Sequence, residues 1–201
     1  MRRGRERREQ DLRRVPGKKP PRRVILVTCE GKKTESIYLK GLRTAWRLST
    51  AEIEVVGVGM TPSKVVERAI ERKKQSGVNY DEIWCVFDRD EHGDLERAQQ
   101  LAEKHHVSVA LSVPCFEIWY LLHFVFTTRQ FRNYDELGRV LKDHIPHYDK
   151  NRDYTATLLC RLDAAFKNAG QLRTFNEVND TTCPATDVDL LVQAMKLIAD
   201  S

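Results

Sequence analysis

No apolar run in the 201 residues approaches the roughly 18 that a membrane-spanning helix needs. The N-terminus is positively charged but lacks an apolar h-region, so it does not read as a secretory signal. The five cysteines (29, 85, 115, 160 and 183) include no CxxC pair, and five is odd. That spacing argues against a zinc knuckle, and a reducing, cytoplasmic location fits it best. Cys29 and Cys85 lie in apolar strand patterns, where reduced cysteine packs as a small hydrophobe. The sequence has no internal repeat. Its GxG at 57–59 lacks the downstream pattern of a dinucleotide-binding fingerprint, so a tight βα turn is the better reading.

What is present is charge, unevenly placed. Lys and Arg number 34 against 29 Asp and Glu, a net of +5. Residues 1–23 hold 11 of the bases and 3 of the acids, so the remaining chain, with 23 bases and 26 acids, has a net charge of −3. Residues 1–22 are too poor in apolar side chains to order themselves and read as a disordered tail. That tail is either a solvated segment or an electrostatic arm for nucleic-acid phosphates, with Arg2, Arg3, Arg13 and Arg14 as candidate contacts.

From residue 23 onward, strands and helices alternate. Val24 to Val27 are four apolar residues in a row and read as the heart of a buried strand over 23–29. Ile37, Tyr38, Leu42 and Trp46 predict a helix over 34–47, with Thr34 as its cap. Ile53 to Val58 reads as a second strand, followed by Thr61 as an N-cap and Pro62 at the first helical position of a helix ending near Gln75. Glu82 to Phe87 is the most apolar strand and runs directly into Asp88-Arg89-Asp90. A helix from Leu95 and a strand from Val107 to Leu111 complete the pattern. This alternation predicts an α/β core over 23–112 with a mainly parallel, four-stranded sheet.

The pattern changes after Pro114. Cys115 to Phe124 is apolar nearly all round and reads as a buried helix. Helices are expected over 133–143, 155–168 and 185–199, with loops at 147–150 and 176–180. Residues 113–201 therefore read as a helical extension packed on the core.

The acids carry the chemistry. Glu30 and the pair Asp88/Asp90 each follow an apolar strand directly. In open α/β sheets the crevice at the carboxyl ends of the strands binds ligands. If the two strands are neighbours, three carboxylates converge there, and a hard cation such as Mg²⁺ or Mn²⁺ would relieve their repulsion. Such an ion polarises a phosphodiester and stabilises the leaving oxygen. Glu30 is also a candidate general base or acid. Glu35 reads either as a further ligand or as a helix-dipole partner. Glu117, near the start of the apolar helix, either caps backbone amides or faces the metal. Lys32 and Lys33 are candidate phosphate contacts or a solvated pair. His123 reads as a core histidine and His92 as an exposed loop residue.

Four segments together, CEGKKTE (29–35), VFDRD (86–90), PCFEIWYLLHF (114–124) and TDVDLLV (186–192), resemble the RloB family over residues 23–199. That family's core is similar to the TOPRIM fold of topoisomerases, primases and OLD-type nucleases, which implies a three-layer α/β/α arrangement. In that fold a Glu after the first strand and a DxD after a later strand bind Mg²⁺ and act on phosphodiesters. By position these are Glu30, Asp88 and Asp90. OLD-type sequences commonly carry a second acid four residues after the Glu; here Thr34 holds that position and the acid follows at Glu35. The resemblance further implies an effector nuclease of phage defence and abortive infection, acting on DNA or RNA with an ABC/AAA-type ATPase partner. A non-catalytic module that binds nucleic acid or the ATPase, and a small-nucleotide or phosphotransfer enzyme, are the competing expectations.

Overall fold

A computed structural model describes residues 23–49, 53–57, 60–89 and 94–200. Within them the chain forms five strands and eight helices. Strand β1 (Ile25–Cys29) leads to helix α1 (Thr34–Ala45), β2 (Ile53–Gly57), α2 (Pro62–Gln75), β3 (Glu82–Asp88), α3 (Leu95–Lys104) and β4 (Ser108–Val113). The chain continues through α4 (Glu117–Leu122), α5 (Tyr134–His144), α6 (Thr155–Leu159), α7 (Leu162–Asn179), β5 (Ala185–Thr186) and α8 (Val188–Ala199).

The sheet order is β2-β1-β3-β4-β5. The first four strands are parallel, and β5 runs antiparallel to β4 through Ser112↔Thr186 and Val113↔Ala185. The sheet is thus mixed and five-stranded, where four strands are expected from the sequence. The extra strand is only two residues long and opens the segment expected to be a helix over 185–199; α8 begins at Val188 instead. Two residues carry too little periodicity to separate a strand from a helix start. The expected loop at 176–180 is also corrected. Helix α7 runs through Asn179 and ends on Asp180, whose φ of 51° is left-handed. Asp tolerates that conformation better than most residues.

Side-chain alternation divides the sheet between two cores. Ile25, Val27, Cys29, Trp84 and Val86 join one, with Leu39 and Leu42 of α1, Ile118 and Leu122 of α4, and Leu191 of α8. Leu26, Ile83, Cys85 and Phe87 join the other, with Val65, Val66 and Ala69 of α2 and Ala98 and Ala102 of α3. A strand buried on both faces reads as a continuous apolar run, which is why ILVTC and EIWCVF show no polar alternation. All six residues of α4 are buried, as its composition requires.

This topology creates the crevice. The chain steps from β1 outward to β2, then returns to the other side of β1 for β3. Helix α1 packs on one face and α3 on the other. Where the strand order reverses, the connections diverge and leave an opening at the carboxyl ends of the strands.

Candidate active site at the strand ends

The switch point lies between β1 and β3, and it receives two of the sequence-predicted acids. Cys29 pairs with Val86, and the Glu30 backbone N–H donates to the Val86 carbonyl at 2.9 Å. Glu30 is therefore held on the ladder one residue past the strand. Asp88 closes β3 opposite Ser112. Side chains alternate along a strand. Asp88 shares the phase of Trp84 and Val86 and faces the α1/α4 side. Glu30 follows Cys29 at the opposite phase.

An open cleft of about 330 Å³ on the α1/α4 side is lined by Lys32, Lys33, Glu35, Asp88, Glu117 and Lys150, together with Gly31, Thr34 and Phe116. Glu30 is not among its lining residues. The cleft thus gathers three of the expected acids and both expected lysines, with a third lysine that sequence reading missed. Asp90 and His92, and Arg2, Arg3, Arg13 and Arg14 of the tail, lie outside the described residues.

Glu117 is the most constrained of these acids. It opens α4 and is only 1% exposed. A buried carboxylate needs partners, and Glu117 has three. Its Oε1 accepts from the Thr34 hydroxyl at 3.2 Å and from the Tyr148 hydroxyl at 3.0 Å, and lies 3.4 Å from Lys150 Nζ. Lys150 is also stacked on Tyr134, 3.6 Å from the ring centroid. Burial pushes the Lys150 ammonium down, but Glu117, Cys115 and Tyr134 together outweigh it, and the net shift is upward. Lys150 is a fixed cation at the cleft wall.

Glu35 lies in the first turn of α1 and is 7% exposed. Its carboxylate folds back over Gly31, where an added Cβ would stand 2.0 Å from Oε2. Burial pushes the Glu35 carboxyl up; Glu117 adds to this, while backbone N–H groups of Glu35 and Gly31 and the Lys150 charge oppose it. Thr34 does not cap α1 as expected, because Lys33 occupies the cap position and Thr34 donates to Glu117 instead.

Loop packing fixes the approach of β1 to α1. A Cβ at Gly57 would meet the Gly31 carbonyl oxygen at 3.0 Å and Lys32 Cα at 3.1 Å. Gly57, the last residue of β2, lies close against the backbone of the turn after β1. The tight turn expected at 57–59 falls partly outside the described residues. Glycine at 57 serves this close approach.

The strand cysteines and the core histidine are packed away. Cys29 and Cys85 are fully buried, and burial raises the Cys85 thiol to about 12. They pack as hydrophobes, as expected. His123 is 1% exposed and its Nδ1 lies 2.8 Å from the Trp119 carbonyl. Burial lowers it to about 4, so it is neutral near pH 7.

The residues that sequence reading missed, Tyr148 and Lys150, sit in a stretch of mixed polarity with no periodicity. The usable signal was Glu117 itself: one carboxylate in an apolar helix demands donors from elsewhere in the chain.

Among the described residues, no group of three or more His, Cys, Asp or Glu is arranged to hold a metal ion. None of their helices is long and apolar enough to cross a membrane. No curated protein and no solved structure matches the chain. The family model for the RloB-like protein matches residues 25–195, and the chain belongs to that family.

Proposed function

We propose that the chain is a TOPRIM-like nuclease that hydrolyses phosphodiesters with Mg²⁺ or Mn²⁺ at Glu30, Asp88 and Asp90. The observation that carries this reading is the position of Glu30 and Asp88 at the carboxyl ends of adjacent parallel strands, at the sheet's switch point. Their hard oxygen donors suit such an ion. Two carboxylates are too few by themselves, and Asp90, two residues beyond Asp88, is the third ligand of the reading. A bound divalent ion supplies Lewis-acid polarisation of the phosphodiester and charge stabilisation of the leaving oxygen.

The chain's own residues do the rest. Lys32 and Lys33, at the entry to α1, hold the flanking phosphate, and Lys150 adds a third positive charge to the same cleft. Glu30 takes or returns the proton of the attacking water. Glu117 holds Lys150 and Tyr148 in place. Glu35 and Glu117 are the outer candidates for the ion. The polymer is DNA or RNA, the basic tail is an added phosphate contact, and the setting is phage defence beside an ATPase partner.

Purified protein is expected to cleave labelled DNA or RNA only with Mg²⁺ or Mn²⁺, alone or with the ATPase. Asp88→Ala should abolish cleavage while the fold remains intact. Unchanged cleavage in that variant would remove Asp88 from the chemistry.

One observation favours a second reading. Glu117 is committed to internal partners and Glu35 is folded over Gly31. A degenerate site of this kind would bind nucleic acid or the ATPase without cutting. Binding that persists with no cleavage under any metal separates it from the nuclease.

A further inference from the structure

Asp88 and Arg89 are consecutive, yet they line different clefts. The cleft reached by Arg89 has a volume of about 560 Å³ and lies between α3, the β4–β5 edge and the end of α7. We propose that this second cleft binds one nucleobase, reading its acceptor edge with Arg89 and Arg173.

The floor of the cleft is apolar, made by Leu95, Leu111, Val113 and Leu172. Its size is that of a small-ligand site. Two guanidinium groups stand at the polar wall, and each is anchored internally. Arg89 donates to the Thr182 hydroxyl at 3.0 Å. Arg173 donates to Asp189 Oδ1 at 2.7 Å, and Asp187 Oδ1 lies 3.8 Å away. Asp189 is 1% exposed, so a buried carboxylate fixes the arginine's direction. An arginine carries five N–H donors, and these anchors use only part of them.

A planar, apolar body with acceptor atoms along one edge satisfies both features. Guanine presents O6 and N7 in this way, and arginine is its commonest partner. Glu177 and Asp180 also line the cleft and oppose a phosphate entering it. The base therefore enters and the phosphate stays outside. Asp187 and Asp189 belong to the TDVDLLV segment, whose acids have no place in the nuclease reading. Here they hold Arg173.

The base comes either from a free nucleotide or from an unstacked unit of a nucleic-acid strand. Only the second source rests on the phosphodiester reading of Asp88. Calorimetric titration of the full chain, without added metal, uses guanosine, guanosine monophosphate and a short single-stranded oligonucleotide containing one guanine. Guanosine should bind as tightly as its monophosphate. The exposed Gln99 of α3 sits on the lining, and Gln99→Trp should fill the cleft and weaken binding by about tenfold or more with an unchanged melting temperature. Arg89→Gln should weaken it in the same direction. Oligonucleotide affinity well above that of guanosine identifies a strand unit, and equal affinity identifies a free nucleotide; either result supports the site.

The inference is overturned if none of the three probes binds at millimolar concentration. It is also overturned if Gln99→Trp and Arg89→Gln leave binding unchanged. Loss of binding in Asp88→Asn with retention in Gln99→Trp would place the ligand in the acidic cleft and overturn it as well. A protein that binds guanosine here and cleaves nothing would sink the nuclease reading and leave this one standing.

Discussion

The Tyr148 hydroxyl donates to Glu117 Oε1 at 3.0 Å, joining a loop to the start of a helix 31 residues earlier in the chain. Lys150 and Thr34 converge on the same oxygen. The wall of the acidic cleft is therefore built around one buried carboxylate. Tyr148→Phe removes one of three donors and should cost about 1–2 kcal/mol. Lys150→Met removes the cation and should cost more, about 2–3 kcal/mol, below the range for a fully buried pair because Lys150 is partly exposed. In a Glu117→Gln background the same lysine change should cost much less, since no buried charge remains. Urea midpoints of the four proteins in this double-mutant cycle measure the coupling. Equal lysine costs in both backgrounds would show that the pair contributes nothing.

Gly57→Ala should be more damaging than Gly31→Ala. At Gly57 the new Cβ meets backbone of Gly31 and Lys32, which must shift; at Gly31 it meets the far end of the Glu35 side chain, which can swing away. Overpacking against backbone should cost about 1–3 kcal/mol. For Gly31→Ala the expected result is a small stability change with Glu35 displaced into the cleft. Thermal melts give the order of stability, and a crystal structure of Gly31→Ala shows the carboxylate. A Gly31→Ala protein less stable than Gly57→Ala would reverse the argument.

How much was legible in the sequence follows the same division between local and long-range causes. Strands ILVTC and EIWCVF, and the helix start at Thr61 and Pro62, are local patterns, and they fell where the periodicity placed them. The buried helix at Glu117 was legible because six consecutive residues could not face water. Strand β5 was not, because its two residues pair only through the antiparallel approach to Ser112 and Val113. The end of α7 was missed because Asn176, Glu177 and Asn179 look like a loop. Asn176 instead bonds the Pro184 carbonyl and the Thr181 hydroxyl. In the site, strand-end acids were visible as residues following apolar runs. Lys150 and Tyr148 were not, since only tertiary packing brings them to Glu117.

His123 should make stability fall between neutral and mildly acidic pH. Its Nε2 is buried with no hydrogen-bond partner among the described residues, and burial lowers the ring to about 4 from 6.5. Below 6.5 the unfolded chain takes a proton that the folded chain refuses. The histidine's contribution is fully present above pH 6.5, is lost as pH falls toward 4, and is constant below that. Glu35, Asp187 and Asp189 are shifted upward by burial and act in the opposite sense at acid pH. The difference between wild type and His123→Leu isolates the histidine. Stability measured in urea at pH 7 and pH 4.5 should fall less in the variant, by about 2–3 kcal/mol. Parallel pH profiles would show that the ring titrates normally.

Divalent metal should raise the melting temperature if the strand-end carboxylates form a cation site. Two like charges held at neighbouring strand ends repel, and an ion that binds only the folded state stabilises it by mass action. At an ion concentration 100 times the dissociation constant the gain is about 2.7 kcal/mol. Asp88→Asn should gain little from Mg²⁺ or Mn²⁺. This loss of the metal-dependent shift distinguishes a cation site from a general salt effect. Screening by monovalent salt should raise wild type modestly, whereas a specific ion acts at far lower concentration. Na⁺ matched for ionic strength is the control. Equal shifts in wild type and Asp88→Asn, or shifts reproduced by Na⁺, would remove the metal from Asp88.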